Sequence, residues 1–135
     1  MAIKNWDTKT SRILYRRFEA GESLIEGIES LALSEGIREA AVTSCIGSLS
    51  QLKLRNLCDR KEGVPEFERR TIDETLELVS AEGYVQPLEG GGVRVHIHLA
   101  AALPSGEMVG GHCEDATCFT GAFMYLQVIE ENTPN

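Results

Sequence analysis

The chain is 135 residues long, with 42% apolar and 25% charged residues, values that suit one globular domain over residues 1–135 and exclude disorder, collagen-like repeats and low complexity. Thirteen Lys and Arg stand against 21 Asp and Glu, a formal charge of −8, which argues against a protein that works by neutralising phosphates. Residues 1–10 scatter charges and hold no apolar run of the secretory kind. The longest uncharged stretch, 116–129, is 14 residues, short of the roughly 18–20 needed to span a bilayer. A cytoplasmic protein with no membrane contact is the expectation. Cysteines 45, 58, 113 and 118 match neither zinc-ribbon spacing nor a secreted disulfide framework and read as reduced thiols.

In chain order, residues 11–18 are rich in large apolar and β-favouring side chains and stop at Gly21, which reads as a strand. Leu24, Ile25, Ile28, Leu31 and Ala32 then put one apolar stripe on a helix over about 23–35, with Glu22, Glu26, Glu29 and Glu35 facing water. Ser23 is placed to cap it, Glu26 to complete a capping box, and Gly36 to end it. Beyond Gly36 the period of 3.6 gives way to short runs of Val, Ile, Thr, Leu and Tyr, predicting strands at 41–46, 51–57, 75–80, 93–101 and 117–129, the last with a bulge or bend at Gly121. Segment 59–73, with 9 charged residues in 15, reads as a solvated loop or an exposed edge. Gly90-Gly91-Gly92 is a tight connection without the context of a phosphate loop. One helix followed by many strands predicts an α+β domain with a mostly antiparallel sheet and one main helix near the N-terminus.

All three histidines, His96, His98 and His112, fall within 17 residues. His96 and His98 are two apart on the strand-like run Val93-Arg94-Val95-His96-Ile97-His98-Leu99, so both point to one face about 6–7 Å apart. A turn at Pro104-Ser105-Gly106 would return Met108-Val109-Gly110-Gly111-His112 alongside them. Three imidazoles with an open position form the ligand set of a catalytic zinc site, and iron, nickel or copper would also suit. The bland alternative is three hydrogen-bonded strand histidines. Glu82, Glu107, Glu114, Asp115 and Cys113 are nearby donors in sequence, although Cys113 reads better as a small buried hydrophobe. Glu82 follows Leu76, Leu78 and Ser80 in strand alternation, which predicts partial burial and makes it an acid/base candidate, with a salt bridge or a water-facing strand end as the structural alternative. Arg16, Arg17, Arg55 and Arg94 are its possible partners, anion hooks, or plain surface charges. No nucleophile elbow, P-loop or dinucleotide fingerprint is present.

Taken in order, Arg17-Phe18-Glu19-Ala20-Gly21-Glu22-Ser23-Leu24, Ala41-Val42-Thr43-Ser44-Cys45-Ile46-Gly47-Ser48-Leu49, Leu76-Glu77-Leu78-Val79-Ser80-Ala81-Glu82-Gly83, His96-Ile97-His98-Leu99 and Gly110-Gly111-His112 resemble the plants and prokaryotes conserved (PPC) domain. In land plants that domain follows an AT-hook; in bacteria and archaea it stands alone, usually under a DNA-binding label. The resemblance implies an α+β homotrimer. Three readings follow: a divalent-metal protein, zinc first, that binds or transforms a small molecule; a DNA-associated regulator; and a trimeric interaction module burying Phe119, Phe123 and Tyr125. Only four residues are Lys, no AT-hook is present, and basic pairs such as Arg16-Arg17 and Arg69-Arg70 are few, so direct DNA binding is not expected.

Overall fold

The computed structural model describes residues 5–131, the side chains of Arg60 and Glu131 apart; Met1 to Lys4, part of the segment read for a secretory signal, lie outside the described residues. Strand β1 (Thr8–Glu19) leads into helix α1 (Leu24–Ser34), followed by β2 (Ala40–Lys61), β3 (Val64–Ile72), β4 (Leu76–Pro87), β5 (Val93–Ala102) and β6 (Met108–Glu131). Every pairing is antiparallel, in the order β1-β6-β5-β4-β2-β3 with β6 also pairing β2. The contacts β2–β4, β4–β5, β5–β6 and β6–β2 therefore close a ring, with β1 added on β6 and β3 on β2. This is the expected α+β architecture.

Helix α1 starts where the sequence placed its cap. Ser23 Oγ accepts the Glu26 N–H at 3.1 Å and itself donates to Asp115 Oδ1 at 2.6 Å, so the cap also ties the helix to β6. No return bond from the Glu26 carboxylate to Ser23 is present among the described residues, so the capping box is half made. Leu24, Ile28 and Ala32 are buried, with Leu24 and Ile28 among the largest fully enclosed side chains, and truncating either to Ala would cost about 2–5 kcal/mol. Glu22 departs from the expectation that it faces water. It is half-buried, meets Arg16 Nη2 at 2.8 Å and accepts the Glu19 N–H, while Arg16 Nη1 donates to Gly27 O. Arg16 also lies 4.5 Å from the ring centroid of the fully buried Phe18, so it fastens α1 onto β1.

Strand β4 runs on to Pro87, past the expected end at 80, and two strands each join runs that the sequence pattern separates. The runs 41–46 and 51–57 are one strand, β2, because Gly47 lets it pass close to the β6 backbone at Gly121 and Ala122, and Ser48 Oγ, 2.5 Å from Thr120 Oγ1, also accepts the Thr120 N–H. Polar residues that read as a turn are thus satisfied inside the sheet. Likewise 108–112 and 117–129 are one strand, β6, whose register against β2 shifts between Gly47 and Leu49, opposite the expected bend at Gly121. Segment 59–73 is the exposed edge rather than a loop. Glu62 (φ 45°) and Gly63 (φ 84°) make a two-residue hairpin turn of the kind that suits sheet twist, and the charges of β3 guard the edge.

Candidate metal centre

Strands β5 and β6 form a hairpin across Pro104-Ser105-Gly106, closed by Leu103 N–H to Glu107 O and Gly106 N–H to Leu103 O, both 2.8 Å. Register then sets His98 directly opposite His112, with His96 two residues along the same face. The ligating atoms of the three rings lie within 4.8 Å of one another, and His96 Nε2 is 3.2 Å from His98 Nε2, within hydrogen-bond distance, as the alternative of hydrogen-bonded strand histidines also expects. Ring centroids are 5.1–5.3 Å apart. The trio expected from spacing is therefore brought together on the outer face of the ring.

One residue that the sequence did not single out holds the backbone that carries the third imidazole. Asn56 on β2 accepts the backbone N–H of His112 through Oδ1 at 2.9 Å and donates through Nδ2 to Gly110 O at 3.2 Å, bridging the residue between them. Gly111 has φ 135°, and a Cβ there would overlap the Asn56 amide, so the bend in β6 needs both residues. Gly83 plays the matching part on β4. A Cβ on it would run into the His96 carbonyl, and its absence lets β4 lie flush against the histidine strand. The signal for Asn56 was a lone amide in a β-favouring run, which by itself points to no chemistry.

Burial, followed by the charges of His98 and Arg94, holds the His96 imidazole below its ordinary pKa. For His112 the causes are burial, His96 and His98, then Arg55 and Arg94. Both shifts favour the neutral ring, the form that binds a cation.

The five candidate additional donors separate. Glu82 sits opposite His98 across the β4–β5 pairing and lines a groove of about 540 Å³ with Thr43, Tyr84, His96 and His98. It is exposed, not partly buried as alternation from Leu76 predicted. A register shift between Leu78 and Ser80 inserts one residue, so Leu76 and Leu78 point inward before it, Ala81 and Val85 after it, and Glu82 outward. Glu107 is in the hairpin turn, five positions along the strand from His112 or roughly 16 Å away. Glu114 pairs with Arg69 at 3.3 Å, and Asp115 holds Ser23 and the Ala116 N–H. Cys113 faces the core, its thiol pushed up to about 12 by burial and then by Asp115. Of the four arginines, Arg16 pairs with Glu22 and Arg17 with Glu19, whereas Arg55 and Arg94 border the histidines.

Residues 7–130 match the model of the Plants and Prokaryotes Conserved (PCC) domain. The chain belongs to this family. Among solved structures it is similar to a PCC-type protein of Pyrococcus horikoshii, at 26% identity and a TM-score of 0.84, with 98% of this chain and 87% of that one covered. A metal-containing protein of Archaeoglobus fulgidus superposes equally well (TM-score 0.84, 23% identity, 98% and 89% covered). A candidate DNA-binding protein of Ralstonia eutropha shares the fold at TM-score 0.72 and 22% identity, covering 84% of this chain and 76% of that one. The bifunctional protein GlmU of a Synechococcus strain is 33% identical over 105 residues, 78% of this chain, and the chain spans 15% of that longer relative.

Proposed function

We propose that this PCC-domain protein holds a divalent transition metal, zinc by preference, on His96, His98 and His112, and binds or transforms a small molecule there as a cytoplasmic homotrimer. The observation that carries the reading is the convergence of three ring nitrogens on a rigid hairpin. The 3.2 Å separation of His96 and His98 is close to the roughly 3.3 Å edge of a tetrahedral site built from zinc–nitrogen bonds of about 2.0–2.1 Å. The metal-containing Archaeoglobus relative adds support. Such an ion, when bound, polarises a carbonyl or activates water. Glu82, exposed opposite His98 with Tyr84 beside it, would hold or deliver a proton in the adjoining groove.

Further copies of the chain would cover Tyr15, Ile46, Phe119, Phe123 and Tyr125, all exposed, with the Tyr15 and Tyr125 rings in contact at 5.1 Å. No helix among the described residues is long and apolar enough to cross a membrane, and all four cysteines are free, which suits a reducing compartment. The charge of −8 speaks against phosphate neutralisation as the means of action, despite the label on some relatives. Elemental analysis of the purified, zinc-reconstituted protein tests the reading: about one zinc per chain is expected, lost in His98→Ala, and a metal-free wild type after reconstitution would refute it. Light scattering is expected to give three chains, and a monomer would contradict the assembly.

A further inference from the structure

The histidine cluster separates two grooves of different character. On one side lie Glu82 and Tyr84. On the other, a groove of about 470 Å³, within the size range of small-molecule sites, is bordered by Arg55 and Arg94, with Phe67 and Leu57 supplying an apolar wall and all three histidines reaching into it. Arg12, Arg16, Arg17 and Arg69 each pair with a glutamate, whereas Arg55, Arg70 and Arg94 make no hydrogen bond or ion pair among the described residues, and of these Arg55 and Arg94 border the histidines. The Arg55 Nε is buried without any hydrogen-bond partner, and its guanidinium lies 3.9 Å from the centroid of the Phe67 ring, which fixes its plane. A buried guanidinium N–H left unmatched is costly, and in a chain with 21 carboxylates the surplus of acid has not been used to satisfy it. Charge from both arginines also reaches His112.

We infer that this groove is an anion subsite: Arg55 and Arg94 hold the carboxylate or phosphate of a small organic molecule, and a neighbouring oxygen of the same molecule is directed toward the three imidazoles. The inference rests on the metal reading for the second contact and on the arginines alone for the first. A planar guanidinium stacked on an aromatic ring presents paired donors that match a carboxylate or phosphate edge, a geometry lysine does not reproduce. The apolar wall of Phe67 and Leu57 favours an organic ligand over a bare ion, and placement between guanidinia and imidazoles sets the ligand's orientation with its other end toward Glu82.

Isothermal titration calorimetry on the zinc-reconstituted full chain, with oxalate and inorganic phosphate as separate probes, tests this. At least one probe is expected to bind, and the tighter one names the headgroup. Arg94→Gln, an exposed position whose change leaves the core intact, is expected to weaken that binding about tenfold or more, and Arg55→Lys, which keeps the charge but loses the stacked fork, to weaken it several-fold, with zinc content unchanged in both. Zinc at one per chain with neither probe bound, or with affinities unaltered in both variants, overturns the anion subsite and leaves the metal reading standing. Arginine-dependent binding by a chain that takes up no zinc upholds the anion subsite and overturns the metal reading.

Discussion

His112 and Cys113 are consecutive residues on β6, both able in principle to ligate a metal, and the fold sends them to opposite fates. His112 joins two imidazoles on the outer face, whereas Cys113 joins Cys45 and Cys118 in the core. Burial acts on both, with opposite consequences. Desolvation disfavours the charged form, so it keeps imidazoles neutral and competent to bind a cation, and it keeps thiols protonated and incompetent. Cys45 and Cys113 are pushed up to about 12 and Cys118 to about 11, each first by burial. Strand alternation decides which residue faces out, and desolvation then favours the neutral ring at His96 and His112 and the protonated thiol at the inward cysteines.

The largest expected effect of breaking this contrast is on metal affinity. His112→Ala is expected to lower zinc affinity by about 100-fold or more, while Cys113→Ala leaves it unchanged and costs about 1–2 kcal/mol of stability, read by competition with a chelator and by denaturant melts. Equal loss of zinc in both variants would abolish the distinction. Next in size is Asn56→Ala. It removes the acceptor of the His112 backbone N–H and the donor to Gly110, so stability should fall by about 1–3 kcal/mol, and zinc affinity with it as the backbone under His112 loosens. Unaltered zinc binding would make Asn56 a purely structural bridge.

Much of this was legible in the chain and some was not. The helix over Leu24–Ser34 announced itself through its apolar stripe and Ser23, and His96, His98 and His112 through strand spacing and the Pro104-Ser105-Gly106 turn. The phase of Glu82 was not legible, because the extra residue near Val79 is visible only against its partner strand β5. Nor was the continuity of β2 through Gly47-Ser48, whose polar groups are satisfied by Thr120, 72 residues away. Asn56 escaped notice for the same reason: its role exists only across strands. Arg55 and Arg94 were visible as candidates, but what sets them apart from Arg16 and Arg17 is the absence of a paired carboxylate among the described residues, a property of the fold.

A smaller effect is the reactivity of the thiols. At pH 8 the native chain is expected to react with iodoacetamide at the half-buried Cys58 and to spare Cys45, Cys113 and Cys118; modification of the buried three without unfolding would show that the interior is not closed. The smallest concerns pH. Because the folded pKa values of His96 and His112 lie below the unfolded value of 6.5, the unfolded chain binds more protons between those limits. The metal-free protein should therefore lose a modest amount of stability as pH falls below 6.5 and level off once the folded imidazoles are protonated. A gain in stability over that window, measured by thermal melts, would contradict the sign of both shifts.

X-ray absorption at the zinc edge of the reconstituted protein addresses the central claim most directly. The account predicts a first shell of nitrogen and oxygen at about 2.0 Å with outer-shell scattering from three imidazoles and no sulfur at about 2.3 Å. A sulfur shell, or fewer than three imidazoles, would contradict a metal centre built from His96, His98 and His112.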